Sequence, residues 1–557
     1  MIDTSQLALI VQGDHSLLLD VHNPGFEKAR AEISPFAELI KSPEHIHTYR
    51  MTPLSLWNAA SAGIEEDEII ESLNRLSRFP VPENVIYFVR STLSRYGLIK
   101  VEATEDEGVL FLKSTDLAIL TEIAHLKSLK KFLTPGEGGF FMKLMDRGTV
   151  KLHLIRAGFP VEDLAPLKSG DPCPINMRET MISGKPLHIR DYQEDAIKAF
   201  IGNNKPGTGF GTVVVPCGGG KTVIGMCAMS KIQAKTLILT TNVAAVHQWK
   251  RELLDKTDLR EEDIGEYTGE KKEIKPVTIG TYQILIWRKD KESEYTHFSL
   301  FRKGNWGLII YDEVHLLPAP VFRVTAEIQA VRRLGLTATL VREDGAEEDV
   351  FSLVGPKRYD VPWKELEAGG WIATAWCHEL RLDLPDDLKT SYAVADKRLK
   401  FRIAAENPHK SHLVLDLIKK HPDDAIMIIG QYVKQLQEMA RILGAPLITG
   451  KTPNAAREEI YENFRTGRSR IIVVSKVANF AIDLPDASVA IQISGTFGSR
   501  QEEAQRLGRI LRPKDKDSWF YSLVTRYTVE EQYAANRQQF LTEQGYKYTI
   551  SLGMEDL

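Results

Sequence analysis

The sequence predicts an α/β protein with two tandem lobes, each built on a parallel sheet, behind a mixed helical N-terminal region. Three observations predict it. Short β-branched runs at 212–215, 236–239, 277–279, 308–311 and 333–336 alternate with helical patterns, and each is followed by a polar loop. The same texture resumes at 425–429, 446–448, 470–474, 489–493 and 519–524, after a break near Glu367-Ala-Gly-Gly370. The 557-residue length, at roughly 150 residues per domain, calls for three or four domains rather than one. Two such lobes in tandem imply a cleft between them.

Composition narrows the class. Hydrophobic residues at 43% and charged residues at 26% exclude disordered and collagenous chains. Lys and Arg total 71 against 75 Asp and Glu, a net charge of −4, so any nucleic-acid binding must come from local patches. Cys173, Cys217, Cys227 and Cys377 form no C-x-x-C pair, which reads as reduced thiols without a zinc knuckle. The N-terminus carries no basic leader, and no run of about 18 apolar residues occurs. A cytoplasmic protein without membrane contact is expected.

Elements follow in order. Thr52 and Pro53 open a helix carrying Leu54, Leu56, Trp57 and Ala60; Ile69, Ile70 and Leu73 mark a second, and Val85, Ile86, Val89 and Leu93 a third. Closing on the strand-like Gly97-Leu-Ile-Lys-Val101, they give a helical, winged-helix-like domain over 1–130, although a plain helical packing module fits the same pattern. Residues 131–185, with turn signals at Pro135-Gly136 and Gly138-Gly139, form a small mixed domain or connector. The lobes are placed at 186–368 and 369–557.

Four motifs carry chemistry. Val213-Val-Val-Pro-Cys-Gly-Gly-Gly-Lys-Thr222 is a buried strand running through a glycine turn into a helix. There the backbone N–H groups of Gly218, Gly219 and Gly220 can face phosphate oxygens, Lys221 supplies a positive charge, and Thr222 offers a hydroxyl to Mg²⁺. The usual first glycine is missing, since Val215 and Pro216 stand there. Leu308-Ile-Ile-Tyr-Asp-Glu-Val-His315 ends a strand in two carboxylates, Asp312 for Mg²⁺ and Glu313 to polarise the attacking water. Leu334-Gly-Leu-Thr-Ala-Thr339 ends in Thr337 and Thr339, hydroxyls placed to relay the nucleotide state toward those carboxylates. Gln505-Arg-Leu-Gly-Arg-Ile-Leu-Arg512 puts Arg509 and Arg512 three apart on one helix face, where they could insert across the cleft as arginine fingers, although a solvated basic helix fits the same spacing.

These four in this order resemble the superfamily 2 helicase and translocase core, with Asp312-Glu-Val-His315 in the place of the DEAD/DEAH box. Arg190-Asp-Tyr-Gln193, Val246-His-Gln-Trp-Lys250, Thr337-Ala-Thr-Leu-Val-Arg-Glu-Asp344, Asp483-Leu-Pro485 and Asn536-Arg-Gln-Gln-Phe540 narrow the likeness to the XPB family of DNA repair helicases. It covers about residues 186–550. The resemblance implies RecA-like lobes, an ATP-driven, 3′-to-5′ DNA helicase of nucleotide excision repair, and ATP and Mg²⁺ as cofactors. It implies DNA as partner, alongside a repair nuclease or other repair factors. Gln193 would read the adenine and Arg190 would join it in binding the nucleotide, Gln505 would join the arginine fingers in the catalytic set, and Arg342, Glu343 and Asp344 match a motif tied to DNA opening. A thumb-like, DNA-gripping insertion near 385–410, before the second lobe's first strand, would contain Lys397, Arg398, Lys400 and Arg402 around Phe401. Ala481 stands where many relatives carry glycine, which puts contacts of that loop in doubt. A double-stranded DNA translocase without strand separation, and an ATP-regulated damage sensor, are the alternatives.

Overall fold

The computed structural model describes residues 7–41, 45–106, 108–202, 208–216, 218–288, 296–317, 331–338, 347–361, 363–475, 487–495, 503, 506–508, 510, 517–543 and 546–554. Two compact units emerge: Met1–Val215 with Gly220–Asp360, and Pro216–Gly219 with Val361–Leu557.

The first unit begins with strands where helix was expected. β1 (Leu9–Val11), β2 (Ser16–Asp20), β3 (Glu38–Lys41) and β4 (Ile46–Arg50) make an antiparallel sheet ordered β1-β2-β4-β3. Alternation buries Leu17, Leu19 and Tyr49 on one face. The three expected helices follow at Pro53–Ser61, Glu66–Leu76 and Glu83–Leu93. Thr52 caps the first by accepting from Ser55 N–H at 3.1 Å, and Pro53 occupies the position where a missing N–H costs nothing. A second sheet, ordered β7-β8-β6-β5-β9, contains β5 (Ile99–Ala103), β6 (Val109–Ser114), β7 (Thr134–Gly136), β8 (Gly139–Lys143) and β9 (Val161–Asp163). It crosses the boundary expected at 130/131, because β8 pairs with β6 from Val109↔Lys143 to Lys113↔Gly139. One core of Val101, Leu110, Leu112, Met142 and Leu154 serves both sides of that boundary.

Each lobe is a seven-stranded, all-parallel sheet. The first orders β10 (Phe210–Val214), β11 (Thr236–Thr240), β12 (Ile264–Tyr267), β13 (Val277–Thr281), β14 (Leu308–Asp312), β15 (Arg332–Thr337) and β16 (Lys357–Asp360) as β12-β13-β11-β14-β15-β10-β16. The second orders β17 (Ala375–Leu382), β18 (Ile426–Gly430), β19 (Leu447–Ile448), β20 (Ile471–Ser475), β21 (Val489–Gln492), β22 (Ser518–Thr525) and β23 (Tyr548–Leu552) as β19-β20-β18-β21-β22-β17-β23. Central strands such as Thr236–Thr240 and Ile426–Gly430 are buried at every position, as a parallel sheet covered on both faces requires. β17 corrects one expectation. The basic run follows the second lobe's first strand instead of preceding it, because β17 mixes His378, Glu379 and Arg381 into its apolar pattern and does not read as a strand.

Candidate active site

β10 pairs with β15 through Val214↔Thr337 and delivers the chain to the glycine turn at the carboxyl end of the sheet. Pro216 accepts a hydrogen bond from Gly219 N–H at 3.0 Å, so the departure from the usual glycine still closes a tight turn. Gly218 and Gly220 hold φ of +82° and +80°, where side-chain-bearing residues are strained. At Gly220 an added Cβ would stand 2.4 Å from Gln193 Nε2. Gln193 is buried against the turn, and its Oε1 accepts from Arg190 N–H at 3.0 Å. Gln193, expected to read the adenine, therefore sits beside the glycine turn, with Arg190 hydrogen-bonded to it.

Lys221 opens the helix Lys221–Ile232, and its Nζ reaches Glu313 Oε1 at 2.5 Å. Glu313 adopts φ of +50°, an unusual left-handed conformation that turns its side chain off the end of β14. Burial would raise its carboxyl, but Lys221 and His315 hold it below the ordinary glutamate value. Asp312 behaves oppositely. Burial, reinforced by the Glu313 charge, pushes it up to about 6. One ammonium thus faces two adjacent carboxylates, a deficit of positive charge that a divalent cation bound to Asp312 and Thr222 would correct. Both offer the hard oxygen donors that Mg²⁺ takes.

Thr337 reaches toward the carboxylates through His315. It shares a 2.6 Å hydrogen bond with His315 Nδ1, which lies 3.5 Å from Glu313 Oε2. Of the two threonines expected to relay the nucleotide state, Thr337 therefore has a histidine between it and Glu313. Trp249, like His315, was not assigned a role from the sequence. Its Nε1–H donates to Asp312 Oδ2 at 2.9 Å, and the ring is buried. Room for it comes from Gly225, where an added Cβ would stand 2.7 Å from Trp249 Cη2. The available signal was a tryptophan within the helix Val243–Lys256, since a buried indole N–H needs an acceptor. Tyr282 completes the support by donating to the Asp312 carbonyl at 2.8 Å.

In the second unit the basic run forms the helix Lys397–Ala405, capped by Asp396, which accepts from Leu399 N–H at 2.8 Å. Phe401 anchors it in the core, edge-on to Tyr533. Lys397, Arg398 and Arg402 are exposed and Lys400 half-buried. Arg402 is engaged by Glu406 at 2.8 Å. Residues 506–508 and 510 are helical as expected. Arg506 is buried, donates to Gln492 Oε1 and stands 3.7 Å from Glu503, a structural role within the motif. Thr339, Arg342, Glu343, Asp344, Ala481, Gln505, Arg509 and Arg512 lie outside the described residues.

Comparison with known proteins yields three family matches. Residues 366–556 match the ERCC3/RAD25/XPB C-terminal helicase, residues 186–342 the type III restriction enzyme res subunit, and residues 9–135 a helicase conserved C-terminal domain. The chain is 50% identical over 97% of its length to the DNA 3′-5′ helicase XPB of Mycobacterium tuberculosis, covering 97% of that protein. It is 48% identical to the DNA 3′-5′ helicase XPB of Kineococcus radiotolerans, covering 97% of this chain and 96% of the relative. It is 34% identical to the general transcription and DNA repair factor IIH helicase/translocase subunit XPB of Encephalitozoon cuniculi, over 97% of this chain and 82% of that one.

Proposed function

This chain belongs to the XPB family of DNA helicases, and from that premise we propose that it is an ATP-driven, 3′-to-5′ DNA helicase that opens DNA in nucleotide excision repair. The observation that carries the reading is the Lys221–Glu313 ion pair beside Asp312 at the carboxyl end of a parallel sheet. ATP phosphates entering the glycine turn compete with Glu313 for Lys221. Once released, the Glu313 carboxylate is placed to polarise the attacking water, and Lys221 stabilises charge on the transferred phosphoryl group. Mg²⁺, held by Asp312 and Thr222, supplies neutralisation of the phosphate charge when bound. Trp249 and Tyr282 keep Asp312 in place.

His315 and Thr337 sense the state of Glu313 and pass it along β15 toward the segment with Thr339, Arg342, Glu343 and Asp344, to which we assign DNA opening. Arg509 and Arg512 take the arginine-finger role, with Gln505 on the same motif. Lys397, Arg398, Lys400 and Arg402 contact DNA phosphates without reading bases.

The Encephalitozoon relative is named a helicase/translocase subunit, which supports a second reading, duplex translocation without strand separation. Strand displacement from 3′-tailed and 5′-tailed duplexes, run beside triplex displacement, distinguishes the two. The helicase reading expects ATP-dependent release from the 3′-tailed substrate. Triplex displacement with no strand release from either tail rejects it in favour of translocation.

A further inference from the structure

Among the described residues four sheets leave eight edge strands, two to a sheet, and each edge turns a row of backbone N–H and C=O groups away from its own sheet. Seven of the eight are guarded. β1, β7, β9 and β19 are only two or three residues long, and β7 contains Pro135. β3 is bulged between Leu39 and Lys41. The edge of β12 is covered where Glu266 C=O accepts from Glu273 N–H at 3.0 Å, and that of β16 where Lys357 N–H donates to Asn58 Oδ1 at 3.1 Å.

β23 carries no such guard. Its five residues, Tyr548-Thr-Ile-Ser-Leu552, include no proline and no charge, and they pair with β17 in unbroken register from Cys377↔Tyr548 to Arg381↔Leu552. The phase of that pairing decides which groups point outward. Gly553 N–H donates to Arg381 C=O at 3.0 Å, so by strand alternation Thr549 and Ser551 also bond toward β17, and the N–H and C=O of Tyr548, Ile550 and Leu552 face away. Among the described residues nothing pairs with that outer row. Ile550 and Leu552, two apart and so on one face, are each 45% exposed. An open backbone row beside aliphatic side chains is what strand addition uses, the backbone supplying affinity and the alternate side chains specificity.

We propose that β23 takes up an extended segment of a protein partner as an eighth strand of the second lobe's sheet, with aliphatic residues at alternate positions of the segment set against Ile550 and Leu552. A second copy of this chain fits the edge less well. Two five-residue strands fall far short of the roughly 20 to 30 residues a side that a stable dimer uses, whereas a short segment that becomes ordered on binding needs only the strand itself. β17, which holds β23, leads on to the helix bearing Lys397 and Arg398. The added strand therefore fastens its partner to the sheet behind that basic face, and it does so without reference to the nucleotide site.

The test titrates the full chain into a fluorescein-labelled peptide, Lys-Val-Thr-Val-Thr-Val-Lys, and into the same peptide N-methylated at every valine and threonine, which cannot donate to an edge. Anisotropy should show saturable binding of the first and none of the second. With peptide at about ten times its half-saturating concentration, amide exchange should slow about tenfold at Ile550 and Leu552 and stay unchanged at Thr549 and Ser551. Ile550→Pro deletes an outward N–H and leaves the bonds to β17 in place, so binding should weaken about tenfold with little change in melting temperature. Because proline also restrains the backbone, Ile550→Lys with Leu552→Lys is the second variant; it alters exposed side chains alone and should weaken binding to a similar degree. Absence of saturable binding, equal binding of the methylated peptide, or unchanged binding in the double-lysine variant would overturn the proposal. So would a concentration-dependent dimer of the peptide-free protein that Ile550→Pro abolishes, since the edge would then belong to a second copy.

Discussion

The two lobes share one strand order, with the third, fourth, second, fifth, sixth, first and seventh strands running across each sheet. Their strand ends carry different groups. The fifth strand of the first lobe ends in Asp312 and is followed by Glu313, beside an ammonium. The corresponding strand of the second lobe, β21, ends in Gln492, which accepts from buried Arg506. The first lobe's opening strand leads into the glycine turn; the second lobe's, β17, leads into two short helices, the later one bearing the basic face. Identical topology with unlike loops means that the chemistry belongs to the strand ends and the sheet only places them.

Breaking the first lobe's side of this comparison should have the largest effect. Lys221→Ala removes the phosphate contact without touching the core, and ATP turnover should fall by at least about a thousandfold, with melting temperature changed by only a few degrees. Turnover near wild type would show that the two lobes do not divide labour in this way. On the second lobe's side, Arg509→Ala with Arg512→Ala should keep DNA binding while DNA-stimulated turnover drops by about a thousandfold, the low end for arginine fingers. Equal loss of binding and turnover would make that motif a DNA-contacting helix instead.

The comparison also shows what a sequence reveals and what it hides. Strands buried on both faces, such as Leu308–Asp312 and Ile426–Gly430, are legible because nothing polar interrupts them. The edge strands β12, β16 and β23 were missed, since an edge needs no continuous apolar run. So was the four-stranded sheet before Pro53, whose strands are only three to five residues long. Within the site, Lys221, Asp312 and Glu313 were legible from motif chemistry. Trp249 and His315 were not assigned roles, because their partners lie 63 and 22 residues away and only the fold joins them.

Trp249 sharpens the comparison at smaller amplitude. Trp249→Phe deletes the hydrogen bond to Asp312 along with the ring atoms packed against Gly225, so nucleotide should require about tenfold more Mg²⁺ for half-maximal binding, read by fluorescent-nucleotide titration. An unchanged Mg²⁺ requirement would reduce Trp249 to core packing. The smallest effect belongs to the second lobe's basic face. Neutralising Lys397, Arg398, Lys400 and Arg402 should weaken binding to all DNA sequences alike and flatten the salt dependence by up to about three or four ionic contacts, with Arg402 contributing least because Glu406 already holds it. An unaltered salt slope would return the helix to ordinary solvated surface.

Everything rests on Glu313 acting on water while Asp312 and Lys221 hold the nucleotide. Glu313→Gln preserves size and the Asp312 carboxylate and removes one charge. Single-turnover hydrolysis, measured alongside nucleotide affinity in the same variant, tests the assignment most directly. The account predicts affinity at or above wild type, because Lys221 is released to the phosphates, with hydrolysis per bound ATP reduced by about a hundredfold to ten-thousandfold. Lost affinity with unchanged hydrolysis per bound ATP would contradict it.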